Sequence, residues 1–207
     1  APDEVERTLE FSTEIEKVDV AIMIDLSGSM GEERQNLIDN IQTQIIGGVK
    51  EVIDNSGFGL IHFMDLSPMS GINKYYGIDS FISTDDEMVK NAVGNLPDTS
   101  GASEPHYLVL HQAVRGDGLV AQLKVAGDDF NPMGFNVNIP PPDCSIQEGS
   151  IGELCFRELA LPIFIMITDE DMQDYKVAGA IPERILSEEA FDGMDKISGK
   201  FIGVDTS

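Results

Sequence analysis

The sequence predicts a three-layer α/β fold: a doubly wound, mostly parallel sheet flanked by helices, with one long insertion. Three observations predict it. Residues 18–24 (VDVAIMI) and 162–168 (PIFIMIT) are almost unbroken apolar runs of strand length, the pattern of strands buried on both faces. Helical patterns with one apolar face alternate with such runs along the chain. The length of 207 residues and the hydrophobic fraction of 42% supply one sizeable core, which places residues 1–207 in a single domain.

Each element follows from its own pattern. The first strand is residues 18–24. A helix follows the acidic start Glu32-Glu33, with Leu37, Ile38, Ile41, Ile45 and Val49 along one face. Residues 57–63 (GFGLIHF) read as a strand, and residues 75–82 as a weaker, alternating edge strand. Residues 87–96 form a short helix. Residues 105–115 form another, with Pro105 suited to its first turn. Residues 116–160 are too long for an ordinary connection and carry Pro132, Pro140, Pro141, Pro142 and both cysteines. They read as a loop-like insertion. It leaves the end of a helix and enters the start of a parallel strand, so its root faces away from the ligand edge. The strand at 162–168, a helix at 182–194 and a fifth strand at 200–204 complete the order.

Composition narrows the partners. Asp and Glu number 37 against 13 Lys and Arg, for a net charge of −24. A phosphate backbone or an anionic bilayer would be repelled, which excludes nucleic acid and membrane docking. The longest apolar stretch, residues 159–167, falls far short of the roughly 20 residues of a transmembrane helix. The opening Ala-Pro-Asp-Glu has neither a basic nor an apolar leader region, so the chain reads as a mature or trimmed one. Cys144 and Cys155 stand 11 apart with no further Cys or His cluster, which favours a disulfide over zinc. A disulfide in turn points to an extracellular, cell-surface or periplasmic location.

The chemistry gathers at two strand ends. The first strand runs into Asp25-Leu26-Ser27-Gly28-Ser29, a carboxylate followed by two hydroxyls. The later buried strand runs into Thr168-Asp169. In an open α/β sheet, ligands bind outside the carboxyl ends of the strands, where strand order reverses. Asp25, Ser27, Ser29 and Asp169 are all oxygen ligands, and hard oxygens select Mg²⁺, Mn²⁺ or Ca²⁺.

Asp-x-Ser-x-Ser after a buried strand, with Thr-Asp after a later one, resembles a von Willebrand factor type A (VWA) domain and its metal-ion-dependent adhesion site. The resemblance implies Mg²⁺, or Ca²⁺ or Mn²⁺, as the cofactor. It implies a further ligand from the loop before a helix, here residues 99–105 (TSGASEP). Thr99 is the residue type usual in the family. Glu104 has the better spacing and resembles the integrin β I-like variant, with Ser103 in reserve; Glu104 is favoured. In that variant a second ion sits on acidic residues just after the pentad, where Glu32 and Glu33 stand. The same two residues also suit a helix N-terminus. Ser27, Ser29 and Glu104 are expected to ligate directly, and Asp25 and Asp169 partly through water. The family continues past the fifth strand, so a larger parent chain or a second chain is expected to complete the sheet.

The functional expectation is an adhesion module that captures an Asp or Glu of a protein partner on the ion. The alternative is a VWA subunit of a multiprotein assembly, and a metal-dependent hydrolase is a third reading. No enzyme is expected: there is no nucleophile elbow, no phosphate-cradling Gly-rich loop and no nucleophile–base–orienter set. Glu170, Asp171 and Asp174 read as a solvated acidic rim. His106 and His111, five apart on a helix, make a poor metal pair, and His62 reads as a satisfied core residue.

Overall fold

The computed structural model describes residues 15–31, 34–64, 76–98, 104–126, 135–144, 150–179 and 184–206. A five-stranded sheet forms the centre, built from β1 (Val18–Asp25), β2 (Ser56–Phe63), β3 (Tyr76–Ser83), β6 (Leu161–Thr168) and β9 (Lys200–Asp205). Its order is β3-β2-β1-β6-β9. The neighbours β2, β1, β6 and β9 run parallel, and β3 pairs antiparallel with β2. All eight residues of β1 are buried, as its unbroken apolar run requires of a central strand. The chain goes from β1 to β2 on one side, and β6 lies on the other side of β1. Strand order therefore reverses between β1 and β6, at the carboxyl ends that carry Asp25 and Asp169.

Helices cover both faces. One face packs Val20, Ile22, Ile24, Leu60 and Ile167 against Ile41, Ile46, Val89 and Val93. The first helical stretch there is not uniform. It runs as α1 (Arg34–Asn40), a π-helical segment (Ile41–Ile46) and α2 (Gly47–Val52). An apolar repeat of four drifts around a helix of 3.6 residues per turn, and the wider π turn takes up that drift. Ile41 and Ile46 thereby both reach the core. The second helix on this face is α3 (Asp86–Gly94), where Asp85 caps the N-terminus by accepting from the Glu87 N–H at 3.1 Å.

The opposite face packs Met23, Ile61, Phe164 and Met166 against α4 (His106–Arg115) and α5 (Leu186–Lys196). Helix α5 begins later than the expected 182–194, because β8 (Arg184–Ile185) precedes it. Pro105 stands one residue before α4, at its N-cap.

The stretch at 116–160, read as an insertion, contains strands of its own. It forms a hairpin of β4 (Leu119–Val125) and β5 (Phe135–Ile139). Strand β4 also pairs with β7 (Tyr175–Val177), which pairs with β8, giving a second sheet ordered β5-β4-β7-β8. This sheet packs Leu119, Leu123, Val137 and Val177 against Leu108 and Leu186. Helix α4 is consequently buried on two sides: from His106 to Val114 only Tyr107 is partly exposed. The hairpin roots away from the ligand edge, as expected, and then runs back to it. Its far end is tied to the segment after β6 by the Ala126 N–H donating to Asp174 O at 3.0 Å.

The rest of the stretch is stapled beneath the sheet. Cys144 and Cys155 form a disulfide. Gly116 has φ of +60°, and a Cβ there would stand 2.4 Å from the backbone of Gly152, so only glycine fits. Arg157 ties the stretch to β1: its Nε donates to Asp19 Oδ1 at 2.7 Å and its backbone N–H to Asp19 Oδ2 at 2.6 Å. Asp19 is fully buried.

Candidate metal centre

The parallel register of β1 and β6 pairs Ile24 with Ile167, so the two strands end side by side. Beyond them the polypeptide turns through Ser27 and into a short 3₁₀ turn at Ser29–Gly31. Asp25 is fully buried. Its Oδ1 accepts the Ser27 N–H at 2.7 Å and its Oδ2 accepts the Thr168 hydroxyl at 2.8 Å. Ser27 Oγ lies 2.9 Å from Ser29 Oγ, and Ser29 Oγ donates to Asp169 Oδ1 at 3.1 Å. Four of the expected residues thus form one connected set: Asp25, Ser27, Ser29 and Asp169. Ser29 is exposed and Asp169 half-buried, whereas Ser27 and Asp25 lie behind them.

Glu104 joins this set through charge. It is 2% exposed, and burial pushes its carboxyl up from 4.5 to about 7, helped by the nearby charges of Asp25, Glu170 and Asp169. Burial also raises Asp25, although the Ser27 N–H and the Thr168 hydroxyl hold it down in part. Thr99, Ser103, Glu32 and Glu33 lie outside the described residues.

Two groups at this site, His106 and Thr168, were named in the sequence but given no role beside Asp25. His106 Nε2 lies 2.9 Å from Thr168 Oγ1, and His106 Nδ1 accepts the Gln173 N–H at 3.3 Å. The ring is fully buried, edge-on to Phe63 with centroids 5.4 Å apart. Burial lowers His106 to about 4, so it is neutral at physiological pH. The sequence held one signal for this. Thr168 directly precedes Asp169, and its alternate register on β6 directs it to the face where α4 begins.

The other two histidines each have a carboxylate partner. His62 Nδ1 lies 2.8 Å from Asp79 Oδ2, and His111 Nε2 3.2 Å from Glu189 Oε2. Asp174 does not join the acidic rim. It accepts from the Tyr175 N–H at 2.7 Å, from the Ser187 N–H at 3.2 Å and from the Ser187 hydroxyl, fastening β7 to α5.

The donor set suits a small, hard cation. Ligands at neighbouring corners of a Mg²⁺ octahedron lie about 2.9 Å apart, given metal–oxygen distances of roughly 2.0–2.1 Å. The Ser27–Ser29 oxygen spacing of 2.9 Å is compatible with such an edge, and Asp169 Oδ1 stands next to it, 3.1 Å from Ser29 Oγ. Among the described residues, no three His, Cys, Asp or Glu side chains form a metal-holding group. The set assembled here mixes hydroxyls with carboxylates, and its fit rests on that mixture. Beside it a cleft of about 490 Å³ opens at the ends of β6 and β9, lined in part by Asp169, Glu170, Asp171, Met172 and Asp205.

No family model matches the sequence, and no curated protein matches it. Solved structures do resemble the fold. Proximal thread matrix protein 1 from the mussel byssus superposes with a TM-score of 0.50 at 12% identity, over 91% of this chain. A second structure of the same protein gives 0.50 at 13%. The pilus adhesin SpaC from Lactobacillus rhamnosus GG, in its open conformation, gives 0.39 at 16% identity over 75% of this chain and 15% of its own. This chain spans 37% of the length of the mussel protein. At these identities the likeness is one of fold: a mixed α/β architecture with a mostly parallel five-stranded sheet between helices.

Proposed function

We propose that the chain is a metal-dependent adhesion module of the VWA type. Ser27 and Ser29 would hold Mg²⁺ directly, with Glu104 as the favoured third ligand, and Asp25 and Asp169 would act partly through water. The observation that carries the reading is the connected ladder of Ser27, Ser29 and Asp169 oxygens in front of the buried Asp25 carboxylate. Two buried carboxyls raised by burial, Asp25 and Glu104, add to it: desolvated acids near one another are stabilised by a cation between them.

An ion held largely by hydroxyls and water keeps positive character. When bound, it would act as a Lewis acid with one position open to an Asp or Glu of a partner protein. The neighbouring cleft carries Asp169, Glu170, Asp171 and Asp205, so a partner seated there needs positive charge beside that carboxylate. The Cys144–Cys155 disulfide supports an extracellular setting, and a byssus thread matrix protein of similar fold supports an adhesive or matrix role.

Titration calorimetry of the EDTA-stripped protein tests this. The expected result is Mg²⁺ binding near one ion per chain, weakened at least tenfold by Ser29→Ala, an exposed substitution that leaves the core intact. Wild-type protein that binds neither Mg²⁺ nor Mn²⁺ would end the metal-dependent account.

A further inference from the structure

We propose that His106 is the positioning residue of this metal centre, acting through Thr168 to present Asp25 in one fixed orientation. The inference rests on the metal-site reading and adds to it a residue outside the ligand set.

The hydrogen bonds around Thr168 leave no choice of direction. Among the described residues its Oγ1 has three hydrogen-bond partners: His106 Nε2 at 2.9 Å, the Glu170 N–H at 3.2 Å and Asp25 Oδ2 at 2.8 Å. A hydroxyl has one proton and two lone pairs. The Glu170 N–H takes one lone pair. His106 Nδ1 accepts the Gln173 N–H, which leaves Nε2 to donate to Thr168 Oγ1. That takes the second lone pair. The Thr168 proton is then committed to Asp25 Oδ2.

The consequence reaches the site. With Oδ2 tied to Thr168 and Oδ1 to the Ser27 N–H, the Asp25 carboxylate cannot rotate and keeps acceptor capacity for an ion or its waters. Without a donor at position 106, the Thr168 hydroxyl gains a free lone pair and can turn, and the carboxylate loses its fixed partner. The same imidazole joins the start of α4 to the end of β6 and to the segment that carries Gln173. Its full burial bars contact with any partner, so its influence must pass through Thr168 and Asp25. Partners of metal-orienting groups typically change metal affinity by roughly 10–100-fold.

The test compares His106→Leu, His106→Gln, Thr168→Val and the double variant His106→Leu/Thr168→Val for Mg²⁺ affinity by calorimetry. ¹⁵N NMR of the wild-type imidazole in metal-free protein runs alongside. We expect the ring proton on Nε2, with Nδ1 free to accept. We expect roughly 10–100-fold weaker Mg²⁺ binding for His106→Leu and for Thr168→Val. The double variant should be no weaker than Thr168→Val alone, because both break one path. His106→Gln should recover most of the affinity, since its carboxamide both donates and accepts. A merely structural histidine would give additive losses and no rescue by Gln. Additive losses, an Nδ1-protonated ring, or unchanged binding in His106→Leu each overturn this inference while leaving a binding wild type intact. A wild type that binds no ion overturns the metal-site reading, and this inference with it.

Discussion

Two buried acids away from the candidate site bear on stability, Glu153 through pH and Asp19 through its arginine partner. Burial raises Glu153 from 4.5 to about 7, with a Tyr76 hydrogen bond opposing the shift, and its Oε2 has no partner among the described residues. Between those values the folded chain holds more protons than the unfolded one. This contribution to stability is therefore complete below pH 4.5 and lost as pH rises through about 7. Glu153→Gln should be more stable than wild type at pH 8, with the gap closing at pH 5, by urea unfolding at each pH. The second acid, Asp19, is fully buried against Arg157, whose Nη2 also donates to Val18 O at 3.0 Å. Arg157→Ala strands that carboxylate and should cost about 3–5 kcal/mol in the same assay. Neither residue carries a sequence signal, since both earn their role through contacts more than 60 positions away.

At the scale of elements, the central strands were legible because burial on both faces leaves an unbroken apolar run. Strands β1 and β6 need no partner to be recognised, and the pentad after β1 sits at a strand end for the same reason. The second sheet was not legible. Strand β4 alternates outward residues such as the exposed Val120 with inward Leu119 and Leu123, inside a stretch punctuated by Gly and Pro. Its partner β7 is three residues long and lies some 50 positions further on, so the pairing is wholly non-local. That sheet also explains why α4 tolerates no exposed face, which its sequence alone does not reveal. The Cys144–Cys155 bridge ties the end of this stretch beneath α4, and its 11-residue separation predicts a loss of about 3 kcal/mol for Cys144→Ala/Cys155→Ala. Denaturant unfolding with and without reductant checks that value, and a loss confined to the wild type on reduction identifies the bridge as its source.

For the whole molecule, charge dominates. A chain of net charge −24 repels itself on folding, and Asp25, Asp169, Glu170, Asp171 and Asp205 gather at the edge where β1, β6 and β9 end. Raising ionic strength to about 1 M, where the screening length falls to roughly 3 Å, should raise the thermal midpoint of the metal-free protein. Millimolar Mg²⁺ should raise it further than an equal ionic strength of NaCl, because specific binding adds to screening. The architecture explains why one ion can matter this much. The reversal of strand order brings Asp25 and Asp169 from positions 144 apart to one crevice, and burial there raises the carboxyls of Asp25 and Glu104, a cost that the proposed cation would relieve. The oxygen ligands at two strand ends were legible in the sequence, but the contact of His106 with Thr168 behind Asp25, which joins positions 62 apart, was not.

The most direct test is a crystal of the protein soaked in Mn²⁺ and measured at the manganese absorption edge. The account predicts one anomalous peak within coordination distance of both Ser27 Oγ and Ser29 Oγ, with Asp25 reached directly or through one ordered water. A peak elsewhere on the acidic surface, or no peak in crystals that diffract well enough to show the two serines, would contradict it.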